Sequence, residues 1–486
     1  MQGCASTTGS DMRTSRFRRT ALALSWMMFL WLTGSLACAA APQSNTFTKP
    51  RLLVLTDIGN EPDDSESMVR LLLYSNELDI EGLVATTSTW LKDKVHPELI
   101  EERVRAYGEV LPNLRLHAAG YPDAARLLSS IRSGRPLYGM RQVGPGQHTP
   151  ASDLIIAALK KPDPRPLWIS IWGGARELAQ ALSDLRATCK TKELHVLLSK
   201  LRVYSISDQD DAGAWARRNF PQLRWIASIH GFNEYGNAAW IGISSRPPTV
   251  EGADEKLVSH EWLSEHIRKG PLGSLYPDWK YIMEGDTASF LYLIPNGLGV
   301  PEHPEYGSWG GRYVRMSPAD GLYADATDSV MGLDGKLYRN NKATIWRWRE
   351  AYQNDFAARV AWTLNASRPA GNHPPELVVN GQPGREPVVV HVIAGQALTL
   401  DASGSTDPDG DTLSYRWFEY IDINPAYTGV APIALDGATS AQAQLRTSAS
   451  QAATQHHVIL EVHDSGTPSL TRYRRIIVSV DAGQPR

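Results

Sequence analysis

The sequence predicts a two-part protein: a mostly parallel α/β sheet covered by helices on both faces, followed by a β-sandwich. Three observations carry this. The chain has 486 residues, long for one ordinary domain. From Arg51 to about Ile229, apolar runs alternate with helical patterns. After about residue 376 the pattern changes to short alternating strands separated by turn residues. The composition, 42% hydrophobic and 21% charged, is that of a folded protein and excludes a disordered or collagen-like chain. A net charge of −3 provides no basic field for a nucleic-acid polymer.

The N-terminus reads as an export address. Arg13, Arg16, Arg18 and Arg19 precede an apolar stretch from Ala21 to Leu36, and Ala37-Cys38-Ala39 has the small-x-small form of a cleavage site. Residues 1–39 are therefore expected to be a signal peptide, placing the mature protein in the periplasm or outside the cell. Cleavage leaves Cys189 alone, so no intramolecular disulfide is expected. No later run is apolar enough for a membrane span.

The α/β part is expected over residues 48–367. LLVLTD (52–57) reads as a buried strand and DDSESMVRLLLYSN (63–76) as an amphipathic helix. DIEGLVATT (79–87) is a second strand, and HPELIEERVRAYGEVL (96–111) a helix with Pro97 in its first turn. LRLHAA (114–119), PLWISIWG (166–173), LRVYSIS (201–207) and LRWIASI (223–229) read as further strands. Residues 175–185, 212–220 and 259–270 read as helices, and 346–364 as one long helix. RPAGNHPPE breaks all periodicity, marking a linker at 368–375. Residues 376–486 then read as an immunoglobulin-like sandwich. Within it, DASGSTDPDGDTLSYRW (401–417) resembles the polycystic-kidney-disease and cadherin-like modules at the tails of secreted bacterial enzymes. Asp407, Asp409 and Asp411 could form a calcium loop or simply a turn.

The string that bears most on function is Leu55-Thr56-Asp57-Ile58-Gly59-Asn60-Glu61-Pro62-Asp63-Asp64, where the first strand gives way to a helix. Ligands of doubly wound sheets bind at carboxyl ends of strands. Asp57, Glu61, Asp63 and Asp64 crowd carboxylates around one turn, a density that suits Ca²⁺ and needs a cation or shifted pKa values. The alternative is that Asp63 caps the helix with Glu66 completing a capping box.

This string resembles the DTDxGxDD motif of inosine–uridine-type nucleoside hydrolases. The whole layout is more similar to an exported nucleoside-hydrolase-like family described as cellulose-binding. The resemblance implies that Asp57 binds Ca²⁺ and orients or deprotonates a nucleophilic water. It implies a sugar contact at Asp63 and a metal ligand at Asp64. Leu55 replaces the family's first Asp, and the loop is two residues longer, so Glu61 shares in the site. Ile171-Trp172-Gly173-Gly174 is similar to the family's GG segment, implying a metal-ligating carbonyl at Trp172. Glu284-Gly285-Asp286 resembles the distal segment whose Asp closes the metal shell, implying Asp286; Gly285 stands where a His often assists the departing base.

The cluster Ser207-Asp208-Gln209-Asp210-Asp211 follows another strand, so Asp208, Gln209 and Asp211 are candidate sugar contacts, as are Asn233 and Glu234. His230 and His260 read as scaffold. No GxSxG, HExxH or P-loop is present. The sequence thus points to an exported Ca²⁺-dependent glycosidase acting on N-glycosyl or furanosyl bonds of a nucleoside, pentofuranoside or plant-wall fragment. Its rivals are a carbohydrate-binding or cellulose-binding protein without turnover and a structural envelope module.

Overall fold

The structure, a computed structural model, describes residues 48–232, 234–244, 252–424, 428–449 and 453–482. The proposed signal peptide and Asn233 lie outside them. The first part runs β1 (Arg51–Thr56), α1 (Asp63–Leu73), β2 (Asp79–Ala85), α2 (Pro97–His117), α3 (Ala124–Ser129), β3 (Ile131–Ser133) and α4 (Pro150–Lys160). It continues with β4 (Leu167–Ile171), α5 (Arg176–Thr188), α6 (Thr191–Ser199), β5 (Leu201–Ser205), α7 (Asp211–Asn219) and β6 (Arg224–Ala227). Then come α8 (His260–His266), α9 (Gly270–Gly273), α10 (Ala288–Leu291), β7 (Tyr313–Arg315), β8 (Leu322–Asp325), β9 (Asp328–Met331), β10 (Leu337–Asn340), α11 (Ala343–Trp346) and α12 (Arg349–Leu364).

One eight-stranded sheet has the order β3-β2-β1-β4-β5-β6-β8-β7, parallel except for the edge strand β7. Its central strands β1 and β4 are buried at every position, as apolar runs covered on both faces must be. The order reverses direction around β1, where β2 lies on one side and β4 on the other. The turns after β1 and β4 therefore open into one crevice, the usual ligand position in such sheets.

Two sequence expectations fail locally. LRLHAA is not a strand: residues 114–117 are the last turn of α2, which continues through Pro112. Ile100, Val104, Tyr107, Val110, Leu111 and Leu114 keep a helical spacing on the buried face, and that packing outweighs the proline. The long helix at 346–364 is interrupted, with α11 ending at Trp346 and α12 starting at Arg349.

The C-terminal part is a β-sandwich. It comprises β11 (Val378–Val379), β12 (Gln382–Pro383), β13 (Val388–Ile393), β14 (Ala397–Asp401) and β15 (Ser414–Glu419). β16 (Ala434–Asp436), β17 (Gln442–Arg446), β18 (Thr454–His463) and β19 (Thr471–Asp481) complete it. Its strands pair antiparallel except for the parallel pair β13–β19. Sheets β13-β19-β18-β15 and β14-β17-β16 enclose a core of Val388, Leu400, Trp417, Leu445, Leu460 and Ile476.

The sandwich is not strung on a loose tether. Tyr420, Ile459 and Tyr473 belong to the core of the α/β part. Trp348 packs on Tyr473 and Tyr420 with ring centroids 5.5 and 6.0 Å apart. The buried Arg475 donates to the carbonyls of Leu298 (2.6 Å) and Tyr306 (2.9 Å). Arg472 donates to Asp355 of α12 at 2.9 Å. Within the 368–375 linker, His373 stacks on Trp362 at 5.2 Å, and Arg368 donates to the His117 carbonyl.

Candidate functional site

The crevice holds a cavity of about 470 Å³, within the usual range of small-ligand pockets. Its floor is carboxylate: Asp57, Glu61, Asp63, Asp64 and Asp286 all line it. Its wall and rim are aromatic: Trp90, Tyr235, Trp240 and Tyr281.

Asp57 is the first residue past β1. It is buried, and Ser88 Oγ donates to its Oδ2. A Cβ on Gly173 would fall 2.5 Å from Asp57 Oδ1, so a side chain there would displace this carboxylate. Asp63 and Asp64 open α1. The N-cap position is Pro62, without a side-chain cap, so Asp63 does not act as the cap. Glu66 forms no capping box; its Oε2 accepts from the Glu284 amide at 2.7 Å. Asp64 Oδ1 accepts from Thr56 Oγ1.

Asp286 arrives from more than 200 residues away and meets this turn. One carboxylate oxygen each from Asp63, Asp64 and Asp286 lie within 4.8 Å of one another. Asp286 Oδ2 is buried with no hydrogen-bond partner. Burial and mutual repulsion push every one of these acids upward. Asp63 rises to about 7 through burial, then repulsion by Glu61 and Asp57. Asp64 rises well above its ordinary value through burial, then Asp57 and Asp63. Asp286 does so through burial, then Asp64, Asp63 and Asp57. Burial raises Asp57 against the opposing hydrogen bond from Ser88. A converging set of hard oxygen donors, one of them buried and unpartnered, fits a divalent cation such as Ca²⁺.

The Trp172 carbonyl accepts from Gln209 Nε2, and Gln209 also lines the cavity. A second lone pair remains on that oxygen. Asp208 and Asp211 are placed elsewhere. Asp208 is committed to a two-pronged ion pair with Arg217, and Asp211 Oδ1 accepts from the Met140 amide at 2.8 Å. Asp208 lies in the loop before α7 and Arg217 within that helix, nine residues on, so this nearby cation claims it. His230 is held between Ser207 Oγ (2.9 Å) and the Gly231 carbonyl (2.6 Å). In the sandwich, oxygens of Asp407, Asp409 and Asp411 also lie within 4.8 Å, but Asp407 Oδ1 accepts the amides of Asp409 and Asp411 as in a turn.

Sequence reasoning missed the platform beneath Asp286. Glu284 has a left-handed backbone, φ 53°, and its side chain is fully buried. It pairs with Arg70 of α1 at 2.6 Å and accepts from Tyr276 at 2.8 Å. The signal available was a charged pair, Glu66 and Arg70, four residues apart on a helix buried at nearly every position. For Ser88 there was none.

Residues 51–313 match the family "Cellulose-binding Sde182, nucleoside hydrolase-like domain", and residues 397–480 match "Cellulose-binding protein Sde0182, C-terminal domain". A nucleoside hydrolase-related hypothetical protein from Saccharophagus degradans, associated with carbohydrate metabolism, has a similar solved structure. It is 34% identical, with a TM-score of 0.76, covering 89% of this chain and 100% of that chain. The type III effector XopQ complexed with adenosine diphosphate ribose overlaps only at 12% identity and TM-score 0.30, covering 66% of this chain and 94% of that chain. No curated protein matches. With more than half its length in the first match, the chain belongs to the Sde182 cellulose-binding family with a nucleoside hydrolase-like domain.

Proposed function

We propose that this protein is an exported, calcium-dependent hydrolase of glycosidic bonds, acting on an N-glycosyl or furanosyl unit of a plant-wall or nucleoside-type substrate. The observation that carries this reading is the convergence of Asp63, Asp64 and Asp286 beside Asp57 at the floor of a sugar-sized cavity. Asp64, Asp286 and the Trp172 carbonyl, with a share from Asp57 and Asp63, would hold the ion. Calcium, when bound, supplies a Lewis-acid centre for vicinal sugar hydroxyls and for acidifying a water.

The remaining work falls to the chain. Asp57, oriented by Ser88 and by the absence of a side chain at Gly173, accepts the proton of the attacking water. Asp63 and Glu61 accept hydrogen bonds from ring hydroxyls, and the negative floor offsets the cationic character that develops at the anomeric carbon. Trp240 and Tyr235 exclude water from the cavity wall. The Arg-rich, apolar and Ala-Cys-Ala segments of residues 13–39 support export.

Purified protein should release reducing ends or free base in calcium and lose that activity in EDTA. Asp57→Asn should reduce the rate by about 100-fold or more. Turnover that survives both treatments refutes the mechanism. A second reading, a sugar-binding protein without turnover, is favoured by one observation. Among the described residues no His lines the cavity, and a Cβ at Gly285 would sit 2.7 Å from Asp63 Oδ2, leaving no leaving-group acid at that position. Saturable, calcium-dependent sugar binding with no product would establish it.

A further inference from the structure

Two serines are buried in runs that carry no other hydroxyl. Ser170 lies in β4 and is 1% exposed, and Ser289 lies in α10 and is fully buried. A buried hydroxyl is destabilising unless it is hydrogen-bonded, so each needs a partner. They find each other across the fold, with their Oγ atoms 2.5 Å apart.

Chemistry fixes the direction of every bond in this cluster. The Asp286 carbonyl can only accept, and Ser289 Oγ donates to it at 2.6 Å. The Trp172 indole can only donate, and its Nε1 lies 2.8 Å from Ser170 Oγ and 3.1 Å from Ser289 Oγ. Ser170 therefore gives its own hydrogen to Ser289. A one-way chain results, from the Trp172 indole through Ser170 and Ser289 to Asp286, in which each bond polarises the next. Its two end residues are those whose oxygens, the Trp172 carbonyl and the Asp286 carboxylate, would hold the ion.

Further contacts brace the same ends. The Trp172 amide donates to the Leu55 carbonyl of β1 at 2.8 Å, and the Ser289 amide to the Asp286 carbonyl at 3.1 Å. Thr287 Oγ1 donates to Ser67 Oγ of α1 at 3.0 Å. The backbone around Asp286 is thus tied to both β4 and α1, while Oδ2 of its side chain stays buried without a hydrogen-bond partner.

We propose that Ser289, backed by Ser170, is a positioning residue that makes this site choose Ca²⁺ over Mg²⁺. The inference rests on the reading that these carboxylates hold a divalent cation. Oxygens surround Ca²⁺ at about 2.4 Å and Mg²⁺ at about 2.1 Å, and Mg²⁺ gives up its waters reluctantly. Donors locked in place cannot close around the smaller ion, which then keeps its waters. Donors released from the hydroxyl chain can close.

Calorimetric titration of the full chain with Ca²⁺ and, separately, with Mg²⁺ tests this without any substrate. Ser289→Ala and Ser170→Ala should each weaken Ca²⁺ binding by about tenfold, the usual effect of removing a support behind metal ligands. Mg²⁺ binding should weaken by less than about threefold, because that ion leans less on preset donors, so the affinity ratio narrows. The double variant should match the single ones, since either deletion already breaks the chain. Thermal midpoints in EDTA report folding, and if Ser289→Ala does not fold, the ratio in Ser170→Ala decides. Equal losses for both ions, an unchanged Ca²⁺ affinity, or losses that multiply in the double variant would each overturn the proposal. Wild-type protein that binds neither ion would overturn it together with the calcium reading. Narrowed ratios in a protein that releases no product would remove the hydrolase reading alone and support the hydroxyl chain.

Discussion

Half-buried Asp63 and buried Asp286 tie the response of the site to pH through the carboxylates crowded around them. Folding holds Asp63 near 7, above its ordinary 3.8, and Asp64 and Asp286 move the same way. In calcium-free protein the folded state keeps protons that the unfolded chain has lost between about pH 4 and 7. The unfolded state then binds fewer protons, so stability must fall as pH rises through that window. Calcium should reverse the trend above pH 6, because its binding expels those protons. Thermal midpoints measured from pH 4 to 8 with EDTA and with calcium check this; a metal-free midpoint that rises across the range would contradict it. The acids themselves were legible, because four carboxylates in one strand-to-helix turn have no easy structural use. Ser88 was not, since a lone serine carries no sign of the partner it will meet 31 residues away in sequence.

At the scale of elements, the site depends on a clasp between α1 and the segment that delivers Asp286. Arg70 and Glu284 are both fully buried, and the Arg70 guanidinium also lies 3.9 Å over the Phe356 ring of α12. Removing one member strands the other without compensation. Glu284→Gln should therefore destabilise the protein by about 3 kcal/mol. It should also weaken calcium binding, because the left-handed turn that aims Asp286 loses its anchor. Denaturant unfolding and calcium titration of the same variant read the two effects, and wild-type values in both would dismiss the clasp. The major strands and α1 could be read in advance because uniform apolar runs and 3.6-residue spacing are strong signals. The C-terminal turn of α2 could not. Leu114 and Leu116 alternate as in a strand, while burial of Leu114 with Leu111 and Val110 decides for helix. The described residues between 230 and 342 resisted because short turns and 3₁₀ segments there are set by tertiary contacts.

Over the whole molecule, the two parts behave as one body. Asp355 joins Arg359 of α12 to Arg472 of the sandwich, and Glu77 joins Arg359 to Arg385. Burial would raise Asp355 and Glu77, but the surrounding arginines outweigh it and hold both low. This contribution is present above the ordinary carboxylate pKa and lost as pH falls below about 4, opposite in sign to that of the site. Residues 48–482 should accordingly unfold in a single calorimetric transition, and residues 376–486 alone should be unstable, exposing Tyr420, Ile459 and Tyr473. Two separated transitions, or a well-folded isolated sandwich, would refute this unity. The sequence showed where the fold type changes, at residues 368–375. It could not show that the second sheet shares the first one's core, because rings buried against a distant element look like rings buried within their own.

The close fit at Gly297 and Tyr473 has a consequence for lineage. A Cβ at Gly297 would overlap the Tyr473 carbonyl, and the Tyr473 amide donates to the Asn296 carbonyl at 3.0 Å. Tail modules joined by slack tethers can be exchanged among enzymes as cassettes. This one cannot be transplanted or replaced without recutting the surface it was moulded against, so its history should follow that of its α/β neighbour step for step.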